Sequence, residues 1–270
     1  MKFTQYVLAL LTTVLVSSNS FAHKRWLMPT DFTLSDEETV TVDFTASNNI
    51  FFVDIGMPLA PVQIFAPDGA VMPLLNPQEG KRRSSFDFLA ENSGTYRISV
   101  EGEPMYFVSY QLPGQTDTVH ARGTWAKLKA ELPATATDVE FSESHGLIET
   151  FVTLGSETAP PSVEKTAGLR LQLLDSHPNA LYTDEPARFA FMLDGMPVPE
   201  LAVQVHVEGS RYRDSQDVLE YTTDDKGEVE ISWPLAGRYL VEAGLEQDGT
   251  GGEISKRYYG YFLTVEVLAP

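Results

Sequence analysis

The sequence predicts an all-β chain built as two β-sandwich domains, and three observations carry that prediction. Apolar residues recur with period two through most of the chain, which sets alternate side chains of a strand on opposite faces. Turn signals such as Pro67-Asp68-Gly69, Asn92-Ser93-Gly94 and Asp224-Asp225-Lys226-Gly227 interrupt these runs at short intervals. Only one short stretch, at Trp125, has helical spacing.

Taken in order, the chain opens with Lys2 and an uncharged apolar run from Tyr6 to Val16, too short to span a bilayer comfortably. Ser20-Phe21-Ala22 then places small residues where a signal peptidase reads. Residues 1–22 are therefore expected to be a secretory signal peptide, cleaved after Ala22, with a periplasmic product that has no integral membrane segment. The first domain, 23–154, begins with Val40, Val42, Phe44 and Ala46 alternating with Thr39, Thr41, Asp43 and Thr45. Val62 and Ile64, Phe86 and Phe88, then Tyr96, Ile98 and Val100 repeat the pattern, and Tyr106, Val108 and Tyr110 add a further strand. Thr124 is placed to cap a short helix carrying Trp125, Leu128 and Leu132, which Pro133 ends. Ile148, Val152 and Leu154 predict one more strand. Residues 155–168, with Pro160-Pro161 inside, read as a linker. The second domain, 169–270, restarts the rhythm at Phe189, Phe191 and Leu193, and closes on Tyr259, Tyr261, Leu263, Val265 and Val267. This hairpin series is immunoglobulin-like, and no internal repeat or low-complexity tract stands out.

Composition bounds the function. The 270 residues are 43% hydrophobic and 11% aromatic, enough for substantial cores. Against 19 Lys+Arg stand 38 Asp+Glu, a formal net charge of -19, which repels phosphate backbones and excludes nucleic acid as a natural partner. With 0 cysteines there is neither a disulfide nor a cysteine nucleophile. There is no G-x-S-x-G elbow, H-E-x-x-H, phosphate loop or dinucleotide fingerprint, so the chain reads as a non-enzyme without an organic cofactor.

The residue with the most distinctive chemistry is His23. Cleavage after Ala22 frees its α-amine, which together with the imidazole chelates one ion, and nitrogen ligands of this kind favour divalent copper or nickel, with zinc or cobalt also accommodated. A third ligand is needed. His206 is opposite in phase to Val203, Val205 and Val207 and is expected to point outward with Gln204 and Glu208. His177, before Pro178 and Asn179, is a second candidate ligand, although a turn-stabilising role suits it equally. His120 and His145 have no spacing partner, and Asp43 and Asp54 are possible oxygen ligands. The aromatic runs Phe51-Phe52 and Tyr258-Tyr259-Gly260-Tyr261-Phe262 are expected to pack cores.

Several segments together resemble one family. They are Ala22-His23-Lys24-Arg25-Trp26-Leu27-Met28-Pro29, Ser47-Asn48-Asn49-Ile50-Phe51-Phe52, Glu149-Thr150-Phe151-Val152-Thr153-Leu154-Gly155, His177-Pro178-Asn179-Ala180-Leu181, Arg211-Tyr212-Arg213-Asp214 and Gly237-Arg238-Tyr239-Leu240-Val241-Glu242-Ala243. The family is an uncharacterised group of secreted bacterial proteins, often labelled the periplasmic component of a cobalt or nickel ABC-type transport system. The resemblance implies a periplasmic, non-enzymatic protein associated with metal uptake. Many relatives carry an Asp-His pair after the aromatic run, whereas this chain has Asp54-Ile55. The expectation is a periplasmic accessory that binds a divalent transition metal (nickel, cobalt or copper) through His23, with His177 and His206 as further ligands, for delivery to a membrane transporter. Two alternatives stand beside it: a metal-free immunoglobulin-like module docking on a transporter, and, more remotely, a copper oxygenase with an amino-terminal histidine.

Overall fold

The computed structural model describes residues 24–162, 167–214, 217–249 and 251–270. The expected signal peptide and His23 lie outside the described residues.

The first half supplies β1 (Lys24–Pro29), β2 (Thr33–Leu34), β3 (Glu38–Ser47), β4 (Ile55–Gly56), β5 (Val62–Phe65), β6 (Val71–Met72), β7 (Leu75–Glu79), β8 (Ser84–Ala90), β9 (Gly94–Glu101), β10 (Met105–Gln111), β11 (Val119–Gly123), α1 (Trp125–Glu131) and β12 (Thr137–Leu154). The second half supplies β13 (Leu169–Leu173), β14 (Ala187–Leu193), β15 (Met196–Pro197), β16 (Ala202–Val207), a 3-10 turn at Ser210–Tyr212, β17 (Leu219–Thr222), β18 (Glu228–Ile231), β19 (Gly237–Asp248) and β20 (Ile254–Val267). The architecture is an all-β sandwich fold. The helix forms as its sequence predicts: the Thr124 hydroxyl accepts from Lys127 N, and Leu128 is its buried residue.

These strands make three layers. A five-stranded sheet runs β1-β3-β8-β7, with β4 on β3. The central eleven-stranded sheet runs β17-β16-β19-β20-β12-β9-β5-β6, with β10 and then β11 branching from β12, and β2 pairing β12 in parallel. A four-stranded sheet of β13, β14, β15 and β18 covers the opposite face. Each outer sheet buries a core against the central one. Trp26, Val42, Phe44, Phe86, Phe88, Tyr96 and Ile98 fill the first core, while Phe189, Phe191, Trp233, Tyr239, Val241 and Tyr261 fill the second. A small third cluster of Val108, Leu128 and Phe141 lies under α1.

The two halves of the chain meet inside the central sheet, where β12 and β20 pair in parallel from Phe141↔Ile254 to Thr150↔Thr264. Consequently Leu240 and Phe262, from the second half, pack in the first core, while Leu147 and Phe151, from the first, pack in the second. Period-two alternation explains both assignments. On β19, Tyr239, Val241 and Ala243 face the second core, and Leu240 and Glu242 face the first sheet.

One repeated device was not visible in the sequence read as a whole. Gly94 (φ 129°) begins Gly94-Thr95-Tyr96, and the Tyr96 hydroxyl donates to Asn92 O at 2.9 Å while accepting from Glu91 N and Asn92 N. Gly237 (φ 142°) begins Gly237-Arg238-Tyr239, and Tyr239 donates to Leu235 O at 2.7 Å while accepting from Leu235 N. Each sandwich thus has a tyrosine fastened to backbone four residues upstream, the corner common in immunoglobulin-like folds.

Candidate functional site

His206 sits where its phase predicts, on the face opposite Val203, Val205 and Val207. That face is not open to solvent, however, and His206 is only 2% exposed. The expectation of an outward, solvated histidine is corrected because the face is roofed by the first sheet: Leu240, the register partner of His206, belongs to the first core. On the neighbouring strand β19, and on the same face, is the buried Glu242. Its Oε2 is 3.3 Å from His206 Nε2 and 3.3 Å from Lys24 Nζ.

Neither contact has hydrogen-bond geometry. Both ring nitrogens of His206 and Oε2 of Glu242 are buried polar atoms without a hydrogen-bond partner among the described residues. Buried polar groups are nearly always satisfied, so a histidine and a carboxylate in contact but unsatisfied, with an ammonium beside them, mark a candidate site.

The surrounding segments are those that carry the family resemblance. Lys24 pairs with Ser47 at the end of β3, and the Ser47 hydroxyl donates to Asp54 across the Asn48–Asp54 loop and accepts from Asn49 N at 3.1 Å. Asp54 also meets Arg82, so it is committed to the loop. Phe51 packs edge-on against Trp26, and the Arg211 guanidinium lies 4.6 Å from the Phe52 ring centre. The start of β1, the aromatic loop, the turn after β16 and Glu242 of β19 are therefore linked by contacts. The contact between Lys24 and Glu242 escaped the sequence reading. The available signal was Glu242 itself, an acid interrupting the apolar run Tyr239-Leu240-Val241-Glu242-Ala243.

His177 occupies a different place and a structural role. Its Nδ1 accepts from Asn179 N at 3.2 Å, and its Nε2 is 3.0 Å from both Thr158 O and Thr95 Oγ1. With one nitrogen accepting and the other donating, no lone pair is left for a metal, and His177 is removed from the ligand set. The buried Asn179 continues the network: its Nδ2 donates to Phe32 O at 3.1 Å and Phe151 O at 2.9 Å, and its Oδ1 accepts from Thr153 at 3.1 Å. The His177-Pro178-Asn179 turn thus clasps β12, β9 and the chain before β2. Nearby, the buried Glu149 is bound by Arg97 and accepts from the Tyr261 hydroxyl at 2.9 Å. Burial pushes the Tyr261 hydroxyl well above the usual phenol range, with Arg97 and Arg170 opposing.

The other candidates are dispersed. His120 is exposed on β11, opposite Ser109. His145 stacks on Tyr259 with ring centres 5.0 Å apart, its Nε2 3.4 Å from Glu143 Oε1, which also accepts from Arg257 at 2.5 Å. Burial raises the Asp43 carboxyl above its ordinary pKa, against a lowering by Arg83, its ion-pair partner at 3.1 Å. Among the described residues, no group of three or more His, Asp or Glu side chains stands close enough together to hold a metal ion. None of their helices is long and apolar enough to cross a membrane.

Among solved structures, the chain is similar to the D0–D1 domain of intimin, at 12% identity over 90% of this chain and 97% of that one, with a TM-score of 0.23. It is likewise similar to the CNTN1 FN1–FN3 domains of chicken, at 6% identity over 89% and 98%, TM-score 0.25. A DUF4785 family protein of Legionella pneumophila matches at 9% identity over 90% of this chain and 56% of that one, TM-score 0.26. No curated protein matches the sequence. The family model for the domain of unknown function DUF4198 matches residues 20–247, and the chain belongs to that family.

Proposed function

We propose that this protein is an exported, periplasmic accessory that captures a divalent transition metal, nickel, cobalt or copper, for hand-over to a membrane transporter. The metal is its cargo, and it carries out no chemistry on an organic substrate. His206 and Glu242 supply two ligands, and His23 supplies the amine and imidazole that complete the set.

The observation that carries this reading is the buried, hydrogen-bond-free contact of His206 with Glu242, adjoining the residue that follows His23. His23 is bonded to Lys24, whose side chain reaches Glu242. Imidazole and carboxylate together suit a borderline transition ion better than a hard one. Lys24 is the natural competitor, because its ammonium compensates the Glu242 charge that a cation would otherwise neutralise.

Calorimetric titration of the processed protein with Ni(II), Co(II), Cu(II) and Zn(II) tests the reading. Binding is expected with one ion per chain, and is expected to fall at least tenfold in His206→Ala and in a variant with one extra residue before His23. Indifference of the processed chain to all four ions, or binding untouched by both changes, removes the metal site. Mass spectrometry of the exported protein and cell fractionation check the amino terminus at His23 and the periplasmic location.

A further inference from the structure

Arginine partnering in this molecule is nearly complete. Arg82, Arg83, Arg97, Arg170, Arg188, Arg213, Arg238 and Arg257 each contact a carboxylate, and Arg211 lies over an aromatic ring. Arg25 and Arg122 alone have neither, nor a hydrogen bond, among the described residues. In a chain with 38 acidic side chains against 19 basic ones, a carboxylate is the easiest partner to recruit. Arg122 is exposed and met by water, whereas Arg25 is half-buried, and leaving that permanently charged guanidinium without a partner is unfavourable unless one comes from outside.

The two arginines lie on one face of the central sheet. Arg122 on β11 is registered with Phe107 on β10, and Phe107 with Ser142 on β12, so these side chains point the same way. Gly146, two alternations along β12 from Ser142, turns to that face as well, and Arg25 Nη1 is 3.9 Å from where a Cβ on Gly146 would stand. Glycine there leaves room for the guanidinium to lie on the sheet. Burial holds Arg25 below its ordinary pKa and the positive charge of Arg122 acts in the same direction, so the two feel each other's field. Further along that face, Met105 and Phe107 are exposed. A cavity of about 420 Å³ opens on it, lined among others by Arg122, His120, Phe107, Tyr258 and Glu140.

We propose that Arg25 and Arg122 form a binding site for a small organic carboxylate whose apolar body rests on Phe107 and Tyr258. A guanidinium fork matches the two oxygens of a carboxylate, and two forks converging on one anion remove their mutual repulsion. Phe107 is 37% exposed and offers the apolar contact. The neighbouring charges select against a multiply charged phosphate: Glu140 lines the cavity, and the Lys256 ammonium is already taken by Glu246 and Asp248 at 2.8 Å each.

The site is independent of the metal proposal, so the test uses the mature chain freed of metal on a chelating resin. Chemical-shift titrations with benzoate, benzamide, acetate and inorganic phosphate are expected to show benzoate binding ahead of acetate and phosphate, with benzamide inert. Arg122→Gln, at an exposed position, is expected to weaken benzoate roughly ten- to hundredfold, Arg122→Lys to restore part of it, and Arg188→Gln to change nothing. The proposal is overturned if benzoate does not bind, if phosphate or benzamide binds as well as benzoate, or if the affinity ignores Arg122→Gln.

Discussion

At the scale of single residues, His206 and Glu242 bring buried polar atoms without hydrogen-bond partners into contact. His206 buries an imidazole whose nitrogens make no hydrogen bond, a cost that a purely structural position has no reason to carry. Replacing it by an apolar residue of similar volume relieves that cost. His206→Leu is therefore expected to leave the urea midpoint of the metal-free protein unchanged or higher while abolishing metal binding, a separation that equilibrium unfolding and calorimetry read together. Lys24→Met should do the reverse. It strands the buried Glu242 carboxylate and is expected to cost about 3 kcal/mol, while tightening the metal site by removing a competing cation. Tyr261 gives a pH signature. Its folded-state pKa is raised, so the unfolded chain releases the phenolic proton first: the contribution is whole below pH ~10 and is lost as the pH climbs beyond it. Urea midpoints should fall steeply above pH ~10, and less steeply in Tyr261→Phe.

At the scale of elements, much was legible and the omissions have a common cause. Alternation placed Val40, Val42 and Phe44, or Val203, Val205 and Val207, on buried faces, and Thr124 and Pro133 bounded the single helix. Such features depend on neighbours in the chain. His206 was assigned the correct face and the wrong environment, because the layer that covers that face comes from β1 and its sheet, far away in sequence. His177 resolved the other way: its Pro and Asn neighbours already pointed to a turn, and the turn uses both ring nitrogens. The paired tyrosine corners escaped because the shared pattern is only Gly-x-Tyr, too short to register as a repeat until the two hydroxyls are seen reaching backbone four residues upstream. Tyr96→Phe and Tyr239→Phe are each expected to lower stability by about 1 kcal/mol, checked by denaturant titration, since each removes the hydrogen bonds that tie a buried tyrosine to its turn.

At the scale of the whole molecule, the central sheet makes the halves interdependent. Each core borrows residues from the other half, so thermal unfolding is expected to be a single transition, seen at the same midpoint by calorimetry and by tryptophan fluorescence. A chain cut before Ile254 should lose both sandwiches together, with aggregation visible on size-exclusion chromatography, because β12 is left with a bare edge of unpaired amides and carbonyls. The parallel seam between β12 and β20 also sets a timetable. Synthesis delivers Thr150 well ahead of Thr264, whose carbonyl its hydroxyl must find 114 residues later. Until the last strand emerges, the early half waits with a sticky border, and it needs a chaperone's escort or a slow collapse to survive that interval.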